Sequence, residues 1–199
     1  MSEALAHSGP AAHPIGLILT DDLRRSRLTV FFRLLLAVPH FVFVSLWGIA
    51  AMLAVLVAWF AALFTGSVPG GLHDFLAAFL RYSTRVSAYV FLLADPFPPF
   101  SSGGSYPVDV RIDAPEPQSR LTVLFRIVLA IPALLLVYVF RGVNQIVAFL
   151  AWFYCVATGR MNEGMRNLSA WLLRYETQTY AYIMLLTGRY PSLAGAPTA

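Results

Sequence analysis

Covalent chemistry needs reactive groups brought together: a nucleophile beside a base, paired carboxylates, or a cluster of metal ligands. The histidines of this chain stand at His7, His13, His40 and His73, and the acids near its apolar segments at Asp74, Asp95, Glu163 and Glu176. None of these acids is paired at a useful spacing. Asp109, Asp113 and Glu116 fall in a polar stretch that reads as solvated. There is no phosphate-binding glycine loop, no G-x-S-x-G elbow and no H-E-x-x-H pair. The expectation is a chain with no catalytic centre, no cofactor and no metal site. A single cysteine, Cys155, excludes an internal disulfide and reads as a small core residue.

A second set of residues could act by binding. Arg27, Arg33 and Arg81 recur as Arg120, Arg126 and Arg174, each pair 93 positions apart. Trp59, Tyr82 and Tyr89 recur in the same way as Trp152, Tyr175 and Tyr182. Arginine forks grip phosphate, so one reading is a pair of sites for anionic lipid headgroups. The other reading is plain interfacial anchoring, the common use of Arg, Trp and Tyr where a protein meets a bilayer. The two differ only in headgroup selectivity.

These pairs belong to a larger repetition. "SRLTVFFR" at 26–33 returns as "SRLTVLFR" at 119–126, and the offset of 93 then holds without a gap. Pro39 meets Pro132, "AWF" at 58–60 meets "AWF" at 151–153, and "TG" at 65–66 meets "TG" at 158–159. Residues 26–100 and 119–193 share 27 identities in 75 positions. A tandem duplication accounts for this. Upstream, "PIGLILT" at 14–20 aligns with "PVDVRID" at 107–113, and the alternation in both predicts a short strand. A lone strand is not stable, so the two are expected to pair.

Each strand leads into a long apolar stretch, 28–64 in the first unit. As one helix this would run about 55 Å, against a bilayer core of about 30 Å. One reading lays residues 28–38 on the membrane and lets a single helix cross after Pro39. The other folds the stretch into a transmembrane hairpin with its tip near Trp47–Gly48. "FRGVNQ" at 140–145 occupies that place in the second unit, and its polar run would be costly at mid-bilayer but wet at a tip. A hairpin also puts nearly all arginines on one side, leaving only Arg141 opposite. The hairpin is therefore preferred. Gly66 and Gly159 are natural C-caps. The segments 72–93 and 165–186 then show the stripe of amphipathic helices lying in the interface.

The chain has 199 residues, of which 58% are hydrophobic and only 12% charged. That is about half the charge of an ordinary soluble domain. It points to an integral membrane protein. The net charge is +4 with no lysine at all, and no basic run interleaved with aromatics suggests nucleic acid. The expected fold is an all-α integral membrane protein. It has two tandem repeats, each with a short strand, a transmembrane helical hairpin and an interfacial amphipathic helix, packed about a pseudo-two-fold axis along the membrane normal. The expected boundaries are disordered tails at 1–13 and 194–199, units at 14–95 and 107–193, and a linker at 96–106.

With "SRLTVLFR…LAIP", "AWF…TG", "RY…AY" and the closing "GRYPSL" in view, the chain resembles a bacterial membrane family known as the domain of unknown function numbered 4389. The likeness covers both units. "LFTG" at 63–66 and "DPFPPF" at 95–100 carry it best, and the second unit departs there with "VATG" and "GRYPSL". The resemblance implies a bacterial plasma-membrane location and brings no activity and no site residues. The reading is a non-enzymatic, multi-pass protein with cytoplasmic termini. It would act as a scaffold, as an accessory subunit of an unidentified membrane protein, or as a module for anionic lipids; the alternative is a small-solute or lipid transporter.

Overall fold

The structure is a computed structural model that describes residues 13–101 and 103–195. The expected tails therefore lie outside the described residues except at His13, Ala194 and Gly195. The order of elements is β1 (Ile15–Leu19), α1 (Arg27–Phe31), α2 (Arg33–Thr65), α3 (Gly70–Val90), β2 (Val108–Ile112), α4 (Arg120–Leu124), α5 (Arg126–Thr158) and α6 (Glu163–Ile183). The second unit repeats the first element by element.

Local chemistry sets the boundaries. Phe32 and Phe125 sit at φ near −92° and ψ near +10°, which bends the chain between each short helix and the long one that follows. Gly66 and Gly159 close α2 and α5 in the left-handed conformation, at φ of 81° and 72°, a region open to glycine without a Cβ clash. Asn162 caps α6 by accepting the Met165 amide, and Glu163 complements the helix dipole in the first turn. Pro39 and Pro132 sit near the start of the long helices, which continue through them.

The hairpin expectation is corrected here. α2 and α5 are each one continuous helix of 33 residues, with no tip at Trp47–Gly48 or at 140–145. The polar run does not need water, because α6 supplies its partners. Arg141 Nη1 donates to Glu176 Oε1 at 3.1 Å, and the Ser169 hydroxyl donates to Asn144 Oδ1. Gly142 stands in open space inside an unbroken helix. The first unit needs neither bridge, since Gly48 and Ser83 replace the ion pair and Ala51 and Leu76 replace the amide and hydroxyl.

The units clasp each other through an exchanged arrangement. β1 packs on α6 and β2 on α3, while α1 packs on α5 and α4 on α2. The strands pair antiparallel with Leu17 opposite Val110, two residues that are themselves 93 apart. Thr84 meets its own counterpart Thr177 at 3.4 Å where α3 and α6 cross. A pseudo-two-fold axis therefore runs through the sheet and through this crossing. Its consequences recur at both ends of the long helices. Trp152 Nε1 donates to Val30 O at 3.0 Å, and Trp59 Nε1 to Val123 O at 2.8 Å. Arg25 N donates to Gly159 O at 3.0 Å, and Gln118 N to Gly66 O at 2.9 Å. The start of α2 thus lies at the end of α5, and the start of α5 at the end of α2, so the long helices run antiparallel.

Three tiers result: the two-stranded sheet, then α3 with α6, then α2 with α5. The amphipathic segments are in consequence not surface helices, which corrects the interfacial expectation for 72–93 and 165–186. Leu76, Leu80, Tyr82 and Ala88 of α3, and Ala170, Leu173, Tyr175 and Ala181 of α6, are all buried. Their polar faces look at the sheet: Arg81 Nε donates to Val110 O, and Gln178 Nε2 to Ile15 O.

Candidate functional site

The most heavily built feature is a pair of arginine clasps, one per unit. Arg33, at the first position of α2, sends Nη1 to the Tyr89 and Ala94 carbonyls, both at 2.8 Å, and Nη2 to Asp95 at 2.9 Å. Its guanidinium lies 4.4 Å from the Tyr89 ring centre. Arg126 repeats this on the Tyr182 and Thr187 carbonyls, 4.3 Å from the Tyr182 ring centre, with Gln118 Oε1 in place of the carboxylate. Each clasp closes a turn in which Leu92 or Leu185 takes positive φ, near 60°, a costly state for leucine. Arg25 and Gln118, which are equivalent positions, hold that leucine's carbonyl. Arg25 is further fixed by a two-pronged pair with Asp21 at 2.9 and 2.6 Å. A cation at the C-terminal carbonyls of α3 and α6 is electrostatically matched to them.

This geometry corrects part of the binding set read from the sequence. Arg33 and Arg126 are each 2% exposed and bonded to protein carbonyls, so they cannot meet a lipid headgroup. Arg174 is buried too and donates to Ser192 O and Leu193 O, and Arg81 is bonded under β2. Tyr82, Tyr89, Tyr175 and Tyr182 are core residues and not interfacial anchors. Trp59 and Trp152 are half-buried clasps between the units. They recur because every copy of the unit needs the same packing. Only Arg27 and Arg120 stay exposed. They lie beside the helix-ending glycines of the opposite unit, with Nε within 4.0 Å of where a Cβ would stand on Gly159 and Gly66.

Several further residues matter to this geometry. Arg85 gathers the linker, donating to Gly103 O and Gly104 O at 3.0 Å and to Asp109 at 3.2 Å. The "DPFPPF" motif packs on α2: the Phe97 and Phe100 rings lie 4.4 and 4.5 Å from the His40 ring, whose Nδ1 is 2.7 Å from the Tyr82 hydroxyl. The signal for Asn144–Ser169 was available, since both partners turn apolar together in the other unit. Replacing Asn144 with alanine alone is expected to cost about 1–3 kcal/mol by stranding the Ser169 hydroxyl. The double change Asn144→Ala with Ser169→Leu copies the first unit and should recover most of that loss. Unfolding midpoints of the three proteins in mild detergent would check this, and equal midpoints for the two variants would refute it.

Two cavities open between the long helices. One of about 540 Å³ is lined by Arg33, Leu34, Phe41, Arg141, Phe149 and Trp152 among others. The second, about 280 Å³, lies on the axis between Thr84, Thr177, Arg141 and Glu176. Among the described residues no three His, Cys, Asp or Glu side chains form a group that could hold a metal. On the sheet side, burial lowers the His13 pKa and raises that of Tyr106. His73 and Asp74 are close, at 3.7 Å, with Asp74 solvent-exposed.

Fold and clasps together define a helical protein of two exchanged tandem repeats, with two helices long and apolar enough to cross a membrane. The family described as Domain of unknown function (DUF4389) matches residues 27–102 and again 120–194, and the chain belongs to it. No curated protein and no solved structure gives a significant match.

Proposed function

We propose that this protein is embedded in the bacterial plasma membrane, with its termini on the cytoplasmic side. In our reading it catalyses no covalent reaction and serves as a scaffold or accessory subunit that gathers anionic lipid. The observation that carries this reading is the surface of α2 and α5. Leu34, Leu35, Leu46, Met52, Leu53, Phe60 and Phe64 on one helix, and Ile127, Leu135, Ile146, Phe149 and Phe153 on the other, are exposed along the full lengths. Water would meet an apolar patch far larger than the few hundred Å² that soluble monomers expose. The exposed Arg27 and Arg120 beside the ends of these helices suit phosphate.

A phosphate contact near an anionic surface contributes about 1 kcal/mol per arginine, roughly fivefold in affinity. Arg27→Ala and Arg120→Ala should each lower anionic-lipid retention by about that factor, and together multiplicatively, because the sites are apart. Native mass spectrometry with phosphatidylglycerol reads this directly, with Arg111→Ala on the sheet as the exposed control. Unchanged retention in the double variant would leave a scaffold without lipid selectivity. The non-catalytic reading would be overturned by turnover of a lipid or nucleotide that disappears in His73→Ala or Glu163→Gln.

The cavity between the long helices favours the second reading, a small-solute or lipid transporter. Arg141 lines both cavities and its ion-pair partner Glu176 lines the smaller one, where a polar solute could meet the pair. Flux of a solute into proteoliposomes, abolished by Glu176→Gln, would establish that reading in place of the first.

A further inference from the structure

We infer that the protein lies in a single leaflet, with α2 and α5 flat in the plane of the bilayer and the pseudo-two-fold axis along the membrane normal. This rests on the membrane reading above and replaces the multi-pass arrangement expected from the sequence. Symmetry decides the matter. A two-fold rotation turns one long helix into an antiparallel partner only if the axis is perpendicular to both. If α2 and α5 crossed the bilayer, the axis would lie in the membrane plane. The sheet sits on that axis, so it would be held at mid-depth.

The chemistry of the sheet makes that placement costly. Arg111 and Asp113 at the end of β2 have side chains 47% and 50% exposed. Beside them the linker carbonyls of Gly103 and Gly104 and the Asp109 carboxylate gather on Arg85. Each exposed charge at bilayer centre costs about 2.5–3.5 kcal/mol or more. Irregular backbone there would meet hydrocarbon, a situation that membranes do not tolerate. Turned through a right angle, the same molecule removes these costs. The sheet, Arg111, Asp113 and the linker carbonyls face water, and the tier of α2 and α5 faces hydrocarbon. The half-exposed Arg141 of α5 stays in that tier in either placement, paired with Glu176 beside the cavities between the long helices.

Dimensions and exposure fit the flat placement. One helix with its side chains is about 10–12 Å across and one leaflet's hydrocarbon about 15 Å deep, so a single helical tier fits within it. The buried positions of α2 follow a narrow stripe, Ala37, Ala51 and Ala58 among them. Phe43, Val44, Trp47 and Val55 are among the half-buried positions of the helix, and the remaining positions are exposed and almost entirely apolar. A folded partner presents one surface and would cover one side of one helix. Fluid acyl chains cover the wide arc on both helices at once, as they do for interfacial amphipathic helices. The short helices add Leu28 and Phe31 at one corner, and Leu121 and Leu124 at the other, all exposed.

The test uses the full chain in a Cys155→Ala background, reconstituted in vesicles of phosphatidylethanolamine and phosphatidylglycerol and also studied in native membranes. Single cysteines at Ser67 and Arg160 mark opposite ends of the long-helix tier. A membrane-impermeant maleimide should label both in sealed inverted membrane vesicles and neither in right-side-out ones. Labelling from opposite sides would overturn the flat placement and leave the membrane reading standing. Depth quenching supplies an independent measurement. A fluorophore at Leu35→Cys, Met52→Cys or Phe64→Cys should be quenched most by the same doxyl-labelled lipid at all three positions. A depth profile that deepens at Met52 and returns at Phe64 would mean crossing helices. Recovery of the unmodified chain in the soluble fraction without detergent would instead overturn the membrane reading, and the placement with it.

Discussion

Removing the Arg33 guanidinium is expected to be among the most destabilising single changes in the molecule. Arg33→Ala strands the Tyr89 and Ala94 carbonyls and leaves Asp95 without its cation. Breaking a buried charge pair from one side costs about 3–5 kcal/mol. The partly exposed Asp95 places Arg33→Ala toward the lower end of that range. Arg126→Ala should be comparable although no acid faces it, because two carbonyls and the Gln118 amide oxygen lose their donor. Arg33→Lys should recover only part of the loss, since one ammonium cannot reproduce a planar fork on three acceptors. Arg27→Ala serves as the exposed control, with a change within about 0.5 kcal/mol. Denaturation in mild detergent would separate these. An Arg33→Ala midpoint equal to that of Arg27→Ala would show that the clasp carries no stability.

Neither half of the chain should fold alone, although each is a complete copy of the repeated unit. A fragment 1–106 would keep α2 against α3 but lose β2 from α3, α4 from α2 and the strand partner of β1. A fragment 107–199 loses the matching set. Each would expose the strand-facing side of its central helix, where Arg81 or Gln178 would lose its carbonyl. The expected result is that each fragment expressed singly is degraded or aggregates, and that co-expression restores a protease-resistant complex that co-purifies through a tag on one fragment. A singly expressed fragment with native-like helicity and protease resistance would show that the exchanged contacts are dispensable.

Much of this fold was legible in the residues themselves. The duplication, its offset, the two strands and their pairing follow from repeated types and from alternation. So do the helix-ending glycines, because a left-handed cap has a narrow choice of residue. The apolar character of the stretches 28–64 and 121–157 needs only composition.

Local sequence could not decide whether each apolar stretch was one helix or two. "FRGVNQ" reads as a wet tip when its only visible partner is water. The structure supplies Glu176 and Ser169 from α6, 35 and 25 residues away, and the helix runs on. The repeated Arg and Tyr residues misled for a related reason. Repetition shows that two copies need the same group, but not whether that group faces lipid or core. Only the fold puts Arg33 and Arg126 on buried carbonyls and leaves Arg27 and Arg120 outside. Tertiary structure alone set the two-fold axis at right angles to the long helices, because that depends on which unit each strand and short helix packs against. That choice is made by contacts between units, and no residue's own preference encodes it.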